Sequence, residues 1–168
     1  MKNIALIGFM ASGKTTIGKM LASEMHFEFT DTDFLVEKDE NKKISDIFKT
    51  HGEAYFREAE HRILKHVAEQ PRQVISTGGG ILTIPKNIAV LKENSFVVFL
   101  DVPFEVLSSR VTDTSTRPLF ADKEKAFMLW QDRYETYKNT ADFIIDTSKE
   151  PLNRSITKIK EAFLKYTR

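Results

Sequence analysis

Short, wholly apolar runs alternate along this chain with longer stretches in which apolar residues recur every three or four positions. Residues 4–7 (Ile-Ala-Leu-Ile) form the first run, which meets Gly8 and then Ser12-Gly13-Lys14, where a helix over about Lys14–Met25 departs. Residues 27–30 predict a second short strand ending at Asp31, and helical pattern resumes over 33–39 and 44–51. Phe56, Ala59, Ile63 and Val67 follow at spacings of 3, 4 and 4, which is one face of a helix. Residues 74–76 predict a third strand, stopped by Gly78-Gly79-Gly80, then 96–100 a fourth and 143–145 a fifth. A helix is expected over 126–138, and Leu152, Ile156, Ile159 and Phe163, spaced 4, 3 and 4, predict a closing one. Apolar strands separated by helices imply an α/β fold whose parallel sheet is covered on both faces, since each strand must bury both sets of side chains. Residues 113–125 break this logic: they are polar, contain Arg117-Pro118, and predict a mobile surface loop outside any strand or helix.

Composition narrows the picture. A chain of 168 residues makes one domain. With 25 Lys+Arg against 24 Asp+Glu it lacks the basic excess of a nucleic-acid binder or a polybasic membrane binder, so neither partner is expected. The absence of cysteine excludes a disulfide scaffold, a thiolate metal site and a Cys nucleophile. No run reaches the roughly 18 apolar residues of a membrane span, and the first run is too short for an export signal. A cytoplasmic monomer is the expectation.

The first chemistry lies at residues 8–15, Gly-Phe-Met-Ala-Ser-Gly-Lys-Thr, which fit G-x-x-x-x-G-K-[ST] between a strand and a helix. Backbone N–H groups of such a loop, with the helix N-terminus behind them, make a nest for phosphate oxygens. Lys14 is placed to reach the β- and γ-phosphates of a nucleoside triphosphate and Thr15 to ligate Mg²⁺. Gly8, Ala11, Ser12, Gly13 and Thr16 complete the nucleotide-binding set. No N-K-x-D guanine motif is present and the chain is short, which disfavours a GTPase or motor and leaves a small metabolite kinase.

Asp31-Thr32-Asp33 ends the second strand, where a parallel sheet faces its ligand crevice. These carboxylates can serve Mg²⁺ and an acceptor hydroxyl, cap the following helix, or do both. Arg57 and Glu60, three apart, can pair on a helix face, though as a solvated surface pair in the ordinary case. Gly78, Gly79 and Gly80 strip side chains from the crevice. Many proteins with this loop carry an acid at the end of that strand; Ser76-Thr77 stand here instead, which assigns the metal-side acid to Asp31.

These elements taken together, with Arg117-Pro118-Leu119 and with Arg133 and Tyr137, resemble the shikimate kinase family in order and spacing, from Asn3 to about Asp146. The resemblance implies a P-loop sandwich with five parallel strands in order 2-3-1-4-5, an acceptor region over about 33–61 and a mobile lid over about 112–125. It implies transfer of the ATP γ-phosphate to the 3-hydroxyl of shikimate, on the route to aromatic amino acids. By motif match Asp33 is the base and holds acceptor hydroxyls. Arg57 and Arg133 take the acceptor carboxylate, Glu60 orients Arg57, and Gly78, Gly79 and Gly80 line the pocket. Lys14 and Arg117 act on the phosphates. Arg110 lies near the adenine, with the stretch after Asp146, where Lys149 is the basic residue, closing its other side. The sequence departs from the family at Ala11, where glycine is usual; at positive φ an alanine there is strained by about 1 kcal/mol. Two other readings are a kinase for gluconate, which would place fewer arginines on the acceptor side, and an ATP sensor, which would not need Lys14, Asp33 and Arg117 together.

Overall fold

A computed structural model describes residues 2–115 and 117–168. The strands are β1 (Asn3–Ile7), β2 (Glu28–Asp31), β3 (Gln73–Ser76), β4 (Ser95–Leu100) and β5 (Phe143–Ile145). All pair in parallel, in the order β2-β3-β1-β4-β5. Leu6 and Asp31 both sit in register with Ser76, and Ile7 with Phe99, so the carboxyl ends of the four strands concerned share one edge. β2 and β3 lie to one side of β1, and the chain crosses over to place β4 on the other. The loops after β1 and β3 therefore open a crevice at the switch point, where ligands bind in open α/β sheets.

Alternation along β1 divides the core. Ile4 and Leu6 face α1 (Lys14–Met25) and α7 (Leu152–Tyr166) through Ile17, Leu21, Ile156, Ile159 and Phe163. Ala5 and Ile7 face the opposite layer with Leu64, Leu91, Leu107 and Tyr137, which come from α3 (Ile44–Ala68), α4 (Pro85–Asn94), α5 (Phe104–Arg110) and α6 (Lys123–Thr140). β1, β3 and β4 are buried throughout, as their apolar runs predict, whereas β2 and β5 keep partly exposed positions because they are the sheet edges. A third cluster of Val36, Ile47, Phe56 and Ala59 ties α2 (Thr32–Glu40) to α3. The two helical stretches expected on either side of residue 52 are one continuous element bent at Gly52, whose φ of 82° and ψ of 174° leave the helical region.

The segment 113–125 is less irregular than its polarity predicts. Pro118–Ala121 makes a short 3₁₀ turn, and α6 begins at Lys123 with the Asp122 carboxylate accepting from the Lys125 N–H at 3.1 Å. Phe120 is the reason: it is 3% exposed and packs edge-on to Phe9 and face-on to Phe104, each at 6.1 Å between centroids. One anchoring aromatic among polar neighbours leaves no periodic trace, so among the described residues only 113–115 and Arg117 match the expected irregular loop, and Thr116 lies outside the described residues. α4, which carries no distinctive sequence signal, is also part of the fold.

Candidate active site

Residues 8–15 link β1 to α1. Gly13 (φ 94°) and Ala11 (φ 66°) both take left-handed backbone conformations. Gly13 caps α1 with no side chain over the helix end, so the first N–H groups of the helix remain open to an anion. Lys14 is 9% exposed, and its ammonium donates to Gly8 O (2.8 Å), Phe9 O (3.0 Å) and Ser12 Oγ (3.3 Å). All three donors of the ammonium are thus held by its own loop. Burial lowers its pKa to about 8; the carboxylates of Asp33 and Asp31 work against that shift and Arg117 adds to it.

Beside the loop, Thr15 Oγ1 donates to Asp31 Oδ2 at 3.2 Å, while Asp31 Oδ1 accepts from the Phe34 N–H at 3.1 Å. Asp31 therefore caps α2 and faces the phosphate loop at once. Asp33, one helical step further in, is pushed up to about 6, chiefly by burial and then by the carboxylates of Glu60 and Asp31, with Lys14 and Arg57 opposing. The residue between them was not singled out by its sequence. Thr32 is fully buried, its hydroxyl donating to Ser76 O at 3.4 Å and accepting from the Gly78 N–H at 3.2 Å, so it stitches the start of α2 to the end of β3.

Of the three glycines after β3, Gly78 and Gly80 leave no room for a Cβ as the neighbouring side chains stand, and Gly79 leaves only ordinary contact distance. A Cβ at Gly78 would lie 2.5 Å from Asp33 Oδ1 and 2.8 Å from Glu60 Oε1, and one at Gly80 would run into the Arg57 guanidinium. At Gly79 it would stand 3.5 Å from Arg133 Nη1. Arg57 and Glu60 are no solvated surface pair: Glu60 is 1% exposed and bonds Arg57 Nη1 at 2.8 Å, with Glu53 at 3.4 Å from Nη2. Burial raises the Glu60 pKa despite that arginine. Arg57 Nε, Arg133 Nε and Glu60 Oε1 are buried without a partner, and orphaned donors and acceptors of this kind mark a place for a polar ligand.

A cleft of about 580 Å³ lies over the phosphate loop, lined by residues 10–17, Asp31, Asp33, Ser76, Thr77, Gly79, Arg110, Arg117, Thr147 and Leu152, while Arg133 and Tyr137 line a second cavity of about 290 Å³ that shares Gly79 with it. Of the expected residues, Ala11, Ser12, Gly13, Lys14, Thr15 and Thr16 line the cleft along the phosphate loop. Arg110 is there too, its Nη1 donating to Ala11 O at 3.0 Å. Gly8 lies behind the loop and contributes its carbonyl to Lys14. Lys149 does not line the cleft: it pairs with Asp146 at 3.2 Å with its side chain 79% exposed, whereas Thr147 and Leu152 from the stretch after Asp146 do line it.

A family model described as shikimate kinase matches residues 10–164. The chain belongs to the shikimate kinase family. It is 38% identical to the shikimate kinase of Caldanaerobacter subterraneus subsp. tengcongensis over 98% of both chains. It is 44% identical to that of Caldicellulosiruptor bescii over 88% of this chain and 87% of the other. The solved shikimate kinase from Acinetobacter baumannii in complex with shikimate superposes with a TM-score of 0.92 at 32% identity, covering 99% of this chain and 94% of that one. A gluconokinase from Sinorhizobium meliloti 1021 shares the fold alone, at a TM-score of 0.56 and 15% identity. This shikimate kinase family member is thus an ATP-dependent kinase acting on shikimate.

Proposed function

We propose that Lys14, Asp33 and Arg117 carry the transfer of the γ-phosphoryl group of ATP to the 3-hydroxyl of shikimate, giving shikimate 3-phosphate and ADP. The observation that supports this most is the buried Asp33, whose pKa of about 6 suits a base working near neutral pH. The acceptor oxygen forms a bond to the γ-phosphorus as the bond to the β,γ-bridging oxygen breaks, and the hydroxyl proton passes to Asp33. Such transfer is governed by positioning and charge neutralisation. Lys14 leaves its loop carbonyls for the phosphates. Arg117 reaches them when residues 112–125 close as a lid, pivoting about the anchored Phe120, which excludes water as a competing acceptor.

Arg57 and Arg133 bind the shikimate carboxylate through the donors they leave unused, over the floor of Gly78, Gly79 and Gly80, in an acceptor region of about 33–61. Arg110 and the wall of Thr147 and Leu152 hold the adenine. The hard oxygens of Thr15 and Asp31 suit Mg²⁺, which takes one or two protein oxygens alongside phosphate and water, and it supplies charge neutralisation on the phosphates. Among the described residues there is no cluster of three or more His, Cys, Asp or Glu that could hold a metal by itself. No helix among them is long and apolar enough to cross a membrane, and we place the enzyme in the cytoplasm as a monomer without nucleic-acid partners.

A coupled ADP-release assay tests the reading. ATP, Mg²⁺ and shikimate should give turnover where gluconate does not. ATP binding by folded protein without shikimate-dependent ADP release would overturn it.

A further inference from the structure

Tyr137 follows Arg133 by one helical turn on α6, and none of the roles above uses it. It is 1% exposed, and its ring stacks on Phe99 of β4 with centroids 5.2 Å apart. Against this apolar burial its hydroxyl donates to the backbone carbonyl of Gly79 and stands beside the positive Arg133 guanidinium. Burial pushes the phenol up to about 12, so the group remains a donor throughout the working pH range.

Gly79 is where the two halves of the site approach. A Cβ there would lie 3.5 Å from Arg133 Nη1, 3.7 Å from Met10 N and 3.9 Å from Gly8 O, between the acceptor arginine and the phosphate loop. Arg133 Nε remains buried and unpartnered. The guanidinium is therefore flanked by a neutral hydroxyl and by the Gly79 backbone that this hydroxyl holds, while donor capacity is left for a ligand. A long, flexible side chain that is oriented beforehand loses less freedom when an anion binds. A neutral hydroxyl does this without cancelling the positive charge, as a carboxylate partner would.

We propose that Tyr137 is a positioning residue for the acceptor: its hydroxyl presets the direction of Arg133 and the seat of Gly79, so that the acceptor carboxylate meets an arginine already aimed at it. This rests on the reading of Arg133 as a carboxylate ligand.

Tyr137→Phe keeps the ring and removes the hydroxyl with its bond to the Gly79 carbonyl. The shikimate KM should rise about three- to tenfold, the size of one lost hydrogen bond. The ATP KM should stay within about twofold. With shikimate methyl ester, which has no carboxylate charge, variant and parent should agree within about twofold in KM, or in Kd where turnover is too slow. Combining Tyr137→Phe with Arg133→Lys should add little to Arg133→Lys alone, because both act through one guanidinium. An unchanged shikimate KM, a penalty as large with the ester as with shikimate, or parallel rises in both KM values would overturn the proposal. An unchanged shikimate KM in Arg133→Lys alone would overturn it by removing the reading beneath it, and a parent enzyme inactive on shikimate would refute the function itself. Should Tyr137→Phe fail to fold, the parent protein labelled with ¹³Cζ-tyrosine serves instead. Its four tyrosines can be assigned from Phe variants at Tyr55, Tyr134 and Tyr166. The Tyr137 signal should move with shikimate and stay in place with the ester; the same response to both, or to neither, would overturn the proposal.

Discussion

The two sides of the cleft are built on different principles. In the proposed reading the nucleotide side is a stretch of eight consecutive residues that acts mainly through backbone N–H groups, one lysine and one threonine. The acceptor side draws Asp33 from α2, Arg57 and Glu60 from α3, Gly78 to Gly80 from the loop after β3, and Arg133 from α6. There the chemistry resides in side-chain charges that are individually unfavourable to bury. Asp33 and Glu60 both face Gly78 and both are pushed towards the neutral form by burial. A backbone nest tolerates change in side chains that point away from it, whereas a buried charge cluster depends on every member, because removing one partner leaves another unpaired.

Arg117→Ala should have the largest effect. It removes a cation from the phosphate side, and cationic fingers on phosphoryl groups are worth roughly 10³–10⁵-fold in favourable cases. We expect a kcat loss of that order with little change in shikimate affinity. Trypsin should cut after Arg110 quickly in the free protein and slowly with ADP plus shikimate, whereas Lys123 and Lys125 are shielded by their place at the start of α6. Equal cutting in both states, with near-normal kcat, would reduce the segment to a connector.

Asp33→Asn sharpens the comparison, because it should separate activity from stability. Loss of a general base typically costs about 10²–10⁴-fold in kcat. In the parent enzyme the free-enzyme profile of kcat/KM should rise with pH through about 6 as Asp33 ionises. The raised pKa means that the folded state binds this proton more tightly than the unfolded chain does. The group's contribution to stability is therefore fully present below the ordinary pKa of 3.8 and is lost as pH rises through about 6. Asp33→Asn should accordingly be more stable than the parent above pH 7, by up to about 3 kcal/mol, and the advantage should shrink towards pH 4. Thermal melts at the two pH values check this; a destabilised variant at neutral pH would show that the carboxylate is net favourable where it stands.

Gly80→Ala probes the floor. Its methyl group would displace the Arg57 guanidinium, so the shikimate KM should rise, by at least about tenfold, while the ATP KM holds. Equal losses for both substrates would mean that the two sides are not separable at the glycine floor.

The smallest effect is expected at Ala11. Its φ of 66° lies in the left-handed region, which disfavours a Cβ by roughly 1–2 kcal/mol, partly offset by the greater unfolded-state freedom of glycine. Ala11→Gly should therefore raise stability by up to about 1 kcal/mol in a melt without ligand, and a lowered Tm would show that the loop carries no such strain.

Much of this was legible along the chain. The apolar runs mark the inner strands β1, β3 and β4, because a strand buried on both faces must be apolar at successive positions. The phosphate loop is readable because its function depends on residues adjacent in sequence. The 2-3-1-4-5 order and the acceptor roles were not derivable from spacing; they came from resemblance to a family, which the family match and the close structural neighbours support at the level of fold and activity. Residues 118–125 were misread because one buried phenylalanine leaves no periodicity.

What the sequence by itself determined is whatever is decided between near neighbours: strand against helix, the phosphate loop and the Asp31 cap on α2. Only the tertiary structure decided that Glu60 is buried rather than solvated, that Asp33 titrates near 6, that Arg110 lies on the Ala11 carbonyl and that Tyr137 reaches Gly79. The physical reason is range. Backbone geometry and hydrophobic periodicity are set by residues a few positions apart, whereas the desolvation of a charge and the convergence of arginines depend on which distant segments the sheet order brings together.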